Sequence, residues 1–295
     1  MDVSVILVNY NTTQLTLNAI NSVIEKTKEV LFEIIIVDNN SQDRSIDCVQ
    51  QMFPNLRYIK SSENIGFGRA NNLGAGYAMG NYLFFLNSDT LLINNAIQIL
   101  FEFLEANLNV GICGGNLFDA IGNPIHSFMK YFRNPFTDIF EKTFLSKVFK
   151  YYSLHNQHNH ENMAIEVAFI TGADLFIRKE IFDNINGFDP DFFMYFEDAE
   201  LGNRVKKKGY RIMSVPDAKI FHLVGASSSI GEAKLKLFLQ SKYLYYRKVN
   251  NTLFSKFARL VDFLSAIFGF VYYSLLSNYK LRKISLYYLK FSFKN

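Results

Sequence analysis

Two hydrophobic periodicities alternate along the first 118 residues. Residues 3–9 (Val-Ser-Val-Ile-Leu-Val-Asn) form an apolar, β-branched run that closes on polar residues. This is the pattern of a parallel strand buried on both faces. A helix follows, with Thr12 or Thr13 placed to cap it and Leu15, Ala19, Ile20 and Val23 on one side. Residues 33–37 repeat the strand pattern, and a helix starting between Ser41 and Asp43 must stop before Pro54. Residues 56–60 predict a short strand, 66–80 a helix, 82–86 a buried strand, 94–107 a helix and 110–113 a short strand. Such alternation predicts an α/β layer on a parallel sheet. Ligands of these sheets bind beyond the carboxyl ends of the strands.

Polar residues cluster at three of those ends: Asn9 to Asn11, Asp38 to Asp43, and Asn87 to Thr90. Any one cluster is an ordinary turn, but three at three strand ends point to a site. In Asn87-Ser88-Asp89 a carboxylate directly after a buried strand can meet a hard divalent cation that also grips a diphosphate. A second feature is Phe193 to Leu201, where Glu197, Asp198 and Glu200 crowd beside aromatic residues after the turn Gly187-Phe188-Asp189-Pro190. Helical spacing puts Glu197 and Glu200 on one face and Asp198 on another flank. Acids favour a helix N-terminus anyway. The sharper reading is a carboxylate base whose pKa is raised in a partly apolar cleft. His222 follows the apolar pair Ile220-Phe221 and joins a site only if Asp89 lies close in space. Residues 119–165 are less regular and hold His155, His158 and His160. Their spacing fits no closed zinc pattern, and the stretch reads as an exposed insertion placed to touch an acceptor.

Composition narrows the picture. The chain has 295 residues, 49% hydrophobic and 20% charged. That excludes wholesale disorder and allows one large domain or two small ones. Two cysteines, Cys48 and Cys113, exclude a disulfide framework or a four-thiolate zinc site and suit a reducing compartment. Met1-Asp2 leads straight into the first strand without a charged-then-apolar leader, so a cytoplasmic location is expected. The net charge of +4 hides a division. Residues 232–295 carry twelve Lys/Arg against two acids, and the rest of the chain is net −6. Residues 263–279 hold no charge, and those 17 positions fall short of the roughly 20 a spanning helix needs. Lys256 and Arg259 precede this run and Lys280, Arg282 and Lys283 follow it. Basic residues on both sides favour a helix lying in a membrane interface over a buried helical hairpin. No nucleic-acid-binding motif is present.

Six motifs in order carry a family resemblance. Val5 to Asn11, Ile36 to Asp43, Asn64 to Gly74, Leu86 to Thr90, Thr171-Gly172-Ala173-Asp174 with Phe196-Glu197-Asp198, and His222 to Ser227 together resemble the family two glycosyltransferases, especially their rhamnosyltransferase-like branch. The resemblance covers roughly residues 3–250. It implies a GT-A type, Rossmann-like nucleotide-sugar domain with a mixed, mainly parallel sheet over residues 1–231. Residues 1–118 would be the nucleotide-binding half and 119–231 the acceptor-binding half. Residues 232–295 would add amphipathic helices at the inner face of the cell membrane. The resemblance implies an inverting transfer from a UDP- or dTDP-sugar, with dTDP-rhamnose as one candidate, to a saccharide acceptor in bacterial cell-surface polysaccharide synthesis, and the membrane-facing tail suits an acceptor carried on polyprenyl diphosphate. Asp38 would meet the pyrimidine base, with Asn9 and Asn11 beside the nucleoside. Asn64, Gly66, Arg69 and Asn87 would line the donor. Asp89 and His222 would hold Mg²⁺ or Mn²⁺, and Asp198 would be the catalytic base with Glu197 beside it, the two being interchangeable on sequence alone. Asn87 stands where the family's metal motif has an acid, which predicts weak metal affinity.

Two other classes compete. A nucleotidyltransferase also pairs an α/β nucleotide site with metal, but typically opens with a Gly-rich basic loop, and here the first strand ends in Asn9-Tyr10-Asn11. A non-catalytic membrane-bound sugar-binding protein would have no need to keep Asp89, Asp198 and His222 together.

Overall fold

The computed structural model describes residues 1–42, 46–134, 157–223 and 231–292. Asp43, His155 and Val224 to Ser227 lie outside the described residues. Among the described residues one compact unit covers 1–132, 157–193 and 197–223. A second covers 133–134, 194–196 and 231–292.

The first unit is built on a nine-stranded mixed sheet. Its parallel part centres on β1 (Val3–Asn9), flanked by β2 (Phe32–Asp38) and β4 (Tyr82–Asn87), with β3 (Arg57–Lys60) outside β2. Beyond β4 lies β10 (Asp174–Arg178), antiparallel to both β4 and β6 (Val110–Phe118). Next comes β11 (Arg211–His222), parallel to β6 and antiparallel to β5 (Thr90–Leu92) and β8 (Ile165–Glu166). The longer registers are the parallel ones, so the expected mixed, mainly parallel α/β sheet is what forms. A separate ribbon pairs β7 (Phe128–Met129) with β9 (Phe169–Ile170).

Side chains alternate across the sheet. Val3, Val5 and Leu7 of β1 enter a core with Ile20 and Val23 of α1 (Thr13–Lys26) and Ile97, Leu100 and Leu104 of α4 (Ala96–Ala106). Ile6 enters a second core on the other face. It is shared with Ala70 of α3 (Phe67–Ala75), Phe182 of α5 (Lys179–Asn184), and Leu201 and Val205 of α6 (Glu197–Lys207). Helices cover both faces, which is why the strands read as continuous apolar runs. The second helix, α2 (Ile46–Met52), ends before Pro54 as expected.

Several local expectations are corrected. Thr12 stands at the N-cap of α1, but its hydroxyl donates to Asn9 Oδ1 at 3.1 Å instead of capping the helix. The helix expected over 66–80 is only Phe67–Ala75: Gly66, at φ +86°, lies outside its start, and past Ala75 the Tyr77 and Ala78 amides close turns onto Gly74 and Ala75 instead of continuing it. The strand expected over 110–113 runs on to Phe118. Residues around 119–165 are not simply an exposed insertion. Ser127, Phe128, Met129, His158 and Asn159 are buried, and the Leu117 N–H donates to Ser127 Oγ at 2.8 Å. The His158 ring packs edge-on against Phe118 at 5.1 Å, and its burial lowers its pKa.

The second unit contains α7 (Glu232–Tyr245), a π-helical turn over Tyr246–Asn250, α8 (Thr252–Leu275) and α9 (Tyr279–Phe291). Asn251 and Asn278 cap the last two helices by accepting from the Phe254 and Leu281 amides. Lys242 and Asp262 form a fully buried ion pair at 2.8 Å, and the Tyr243 hydroxyl also donates to Asp262 at 2.8 Å. Met194–Phe196 belongs to this unit: Ser241 Oγ donates to Met194 O, and Phe196 packs on Phe238 and Tyr245. Among the described residues no helix is long and apolar enough to cross a membrane.

Candidate active site

The carboxyl ends of β1 and β2 are tied together by polar side chains. Asn9 is completely buried. Its amide donates to Asp38 Oδ1 at 3.2 Å and to Ser41 Oγ at 2.9 Å, and its oxygen accepts from the Thr12 and Thr16 hydroxyls. Every polar atom of the Asn9 side chain thus has a partner within the protein, and its amide holds Asp38 Oδ1 in place. Asp38 itself keeps Oδ2 buried without a hydrogen-bond partner among the described residues. Asn11, at φ +55° and exposed, accepts from the Gln42 N–H at 2.7 Å, and its own N–H donates to Ser41 Oγ at 3.0 Å. This joins the two loops that follow β1 and β2.

Asn39, which follows Asp38, joins the loop after β2 to the segment before α3. It is buried, its amide donates to Asn64 Oδ1 at 2.9 Å, and its oxygen accepts from the Ile65 N–H at 2.9 Å. Asn64 also accepts from the Gly66 N–H at 3.0 Å. The only sequence signal for Asn39 is its place in the polar cluster after β2. Gly66 was expected to allow close approach of a donor. The close approach is internal: a Cβ at Gly66 would strike the Phe193 carbonyl, which accepts from the Phe67 N–H at 2.8 Å. Arg69 is exposed, and its Nε donates to Pro190 O at 2.6 Å.

Asp89 and His222 meet. The antiparallel register of β11 on β5 sets His222 opposite Thr90. His222 Nε2 then lies 3.2 Å from Asp89 Oδ1, and the Leu223 N–H donates to Asp89 O at 2.8 Å. Asn87 closes β4, its N–H donates to Ala173 O, and its carbonyl accepts from the Thr90 hydroxyl. Two ligands of one octahedral ion at 2.0–2.1 Å sit about 3 Å apart at right angles, so the Asp89–His222 separation suits a shared divalent cation. The described residues supply no third His, Cys, Asp or Glu to this pair. Such a short donor set fits a cation that takes its remaining oxygens from a diphosphate and water.

The acids of α6 occupy different surroundings. Asp198 accepts two backbone amides, Gly172 N–H at 3.1 Å and Ala199 N–H at 2.7 Å. Glu197 is 6% exposed, and its Oε2 is buried without a partner among the described residues. Both carboxyls are raised above their ordinary values by burial, and Asp198's charge raises Glu197 further, while the amides at Asp198 work in the opposite direction. The amide-bound Asp198 is therefore the better placed of the two to carry the negative charge. Glu200 shares the Glu197 face as expected, but it is committed to a bidentate ion pair with Arg204 at 2.6 Å. Tyr195 and Phe196, just before these acids, have φ +72° and +67°. Strain of this kind persists only where the surroundings over-determine it, typically near functional groups. Asp174 at the start of β10 is also buried. It accepts from Gly115 N–H, leaves Oδ1 unpartnered among the described residues, and is raised by burial well above the usual carboxylate range.

The Glycosyl transferase family 2 model matches residues 4–185, and a model described as the N-terminal domain of galactosyltransferase matches residues 153–225. The chain is 26% identical over 216 residues to the N-acetylglucosaminyl-diphospho-decaprenol L-rhamnosyltransferase of Mycobacterium tuberculosis. The match covers 64% of this chain and 66% of that relative. It is 25% identical over 197 residues to rhamnosyltransferase WbbL of Escherichia coli, covering 64% of this chain and 72% of WbbL. Among solved structures, GalNAc-T7 with UDP, GalNAc and Mn²⁺ superimposes with a TM-score of 0.57 at 15% identity, over 83% of this chain and 50% of that one, which establishes a shared GT-A fold. With the family match extending through β1, β4 and β10, and with that fold beneath it, the chain belongs to glycosyl transferase family 2.

Proposed function

We propose that this protein transfers a sugar, with inversion, from a pyrimidine nucleoside diphosphate sugar to a lipid-linked saccharide acceptor in polysaccharide synthesis. The observation that carries the reading is the Asp89–His222 pair at the end of β4, two donors 133 positions apart in sequence and 3.2 Å apart in space. Asp38 offers its unpartnered Oδ2 to the imide N–H that uracil and thymine share, which favours UDP- and dTDP-sugars. The two rhamnosyltransferase relatives favour dTDP-rhamnose among them. The decaprenol in the name of the mycobacterial relative supports a polyprenyl-linked acceptor. The basic C-terminal unit supports work at the inner face of the cell membrane.

In the proposed mechanism the acceptor hydroxyl oxygen attacks the anomeric carbon as the bond from that carbon to the diphosphate oxygen breaks. Asp198 takes the hydroxyl proton. Its two amide donors favour its anionic form against the burial that raises it, and a free lone pair on each oxygen remains to accept. Glu197, protonated beside it, avoids placing a second negative charge where the anion must form. Asp89 and His222 would hold Mg²⁺ or Mn²⁺, with Asn87 as a neutral neighbour. When bound, the cation supplies Lewis-acid stabilisation of the departing nucleoside diphosphate.

Donor hydrolysis tests this. Purified protein is incubated with UDP-, dTDP- and GDP-sugars, with Mn²⁺ or Mg²⁺ and then with chelator, alongside Asp89→Ala. Slow release of UDP or dTDP that needs both metal and Asp89 is expected. Absence of nucleotide binding with every donor would overturn the reading.

A further inference from the structure

Helix α8 is apolar on the wrong side for a helix that is only a packing element. Its buried face is small or polar: Ser255, Ala258, Asp262 and Ala266. Its outer face is large and apolar. Leu253 is 73% exposed, Phe268 73% and Leu275 80%, and Leu260, Leu264 and Val271 on the same face are also exposed. Steps of three, four and seven put these side chains on one stripe. The stripe runs the length of a 24-residue helix, about 36 Å at the usual rise. An exposed apolar surface of that extent marks an interaction site.

Charge identifies what covers it. Among the described residues of the unit the acids are Asp262 and Glu232, and both are neutralised internally, Asp262 by Lys242 and Glu232 by Lys290. The exposed charges that remain among the described residues of this unit are basic, including Lys236 and Arg247 on the preceding segments, Lys256 on α8, and Lys280 and Lys283 beyond its end. Tyr272 and Tyr279, 48% and 67% exposed, lie near the C-terminal end of the stripe, where aromatic side chains suit a membrane–water boundary. A second copy is a poorer match. A helical seam between copies relies on opposite charges flanking it, and the one acid of α8 is buried on the inner face. We infer that the outer stripe of α8 docks on an anionic lipid bilayer. The helix lies in the plane of the surface, with its apolar side chains in the headgroup–acyl boundary and the lysines facing anionic headgroups. This rests on the reading that the C-terminal unit meets a membrane and names the face that does so.

The test is flotation of the full chain with phosphatidylcholine vesicles, with and without phosphatidylglycerol. Wild type should float with the anionic vesicles, less so at high salt. The double variant Leu264→Ser, Phe268→Ser should lose at least about tenfold in vesicle partitioning with an unchanged melting temperature, since both side chains face outward. Leu108→Ser, a 77% exposed position in the other unit, should float as wild type. A double variant that floats like wild type overturns the assignment of the face. Wild type that floats with no vesicle overturns the membrane reading itself. A wild-type dimer in light scattering that the double variant disperses would make a second copy the occupant. None of these readouts depends on donor or acceptor, so they stand apart from any failure of the transferase assay.

Discussion

His222 Nε2 lies 3.2 Å from Asp89 Oδ1 because β11 pairs with β5 in a register that sets His222 against Thr90. A pair so placed predicts shared binding of one divalent cation. His222→Ala should weaken Mn²⁺ binding at least about tenfold, the low end of what loss of even a supporting residue costs at a metal site. Asp89→Ala should abolish it. Mn²⁺ titration followed by electron paramagnetic resonance measures both without any donor. Unchanged binding in both variants would remove the cation from this pair.

The two acids at the start of α6 should separate by role. Asp198→Asn should lower kcat by about 10²–10⁴, the usual worth of a positioned base. Glu197→Gln should keep turnover at neutral pH, because the glutamine imitates the protonated acid. The reverse pattern in steady-state rates would make Glu197 the base.

Glu197 also predicts a pH dependence of stability. Burial and the neighbouring Asp198 raise its pKa in the folded state. The folded chain therefore binds this proton more tightly than the unfolded chain does. Stability falls as pH climbs from the ordinary glutamate range toward the raised value. Glu197→Gln should melt higher than wild type at neutral and alkaline pH, and the difference should vanish in acid below the ordinary glutamate pKa. Thermal melts across that range check it.

Gly66 should tolerate no side chain. Its φ of +86° is disfavoured for other residues, and the Phe193 carbonyl occupies the space a Cβ needs. Gly66→Ala should cost more than the about 1–3 kcal/mol of backbone strain alone and lower the melting temperature by several degrees.

Asn39 should act on donor binding through Asn64. Asn39→Ala leaves the Ile65 N–H without its partner and loosens the Asn64 side chain. A buried donor left unpaired costs about 1–3 kcal/mol. The measured effect should be a raised donor KM with little change in kcat.

Much of the first unit was legible because its cause is local. A strand buried on both faces is apolar at nearly every position, so β1, β2 and β4 announce themselves in runs such as Val5 to Val8, and the residues that end those runs lie at the ligand-binding edge wherever the sheet goes. Asp38, the last residue of β2, and Asp89, just after β4, could therefore be placed at that edge from the sequence. Two-residue strands such as β7, β8 and β9 carry no periodicity, and the antiparallel insertion of β10 between β4 and β6 leaves no local trace. His158 looked solvent-exposed in a polar stretch because its partner, Phe118, is 40 positions away in sequence. The commitment of every polar atom of Asn9, the contact of Gly66 with Phe193, and the meeting of Asp89 with His222 were likewise decided by tertiary structure. Each joins segments whose approach depends on strand register and loop packing. The same holds for α8: its uncharged run was visible in the chain, but which face its neighbours bury, and so which face is left for a membrane, depends on how the surrounding helices pack.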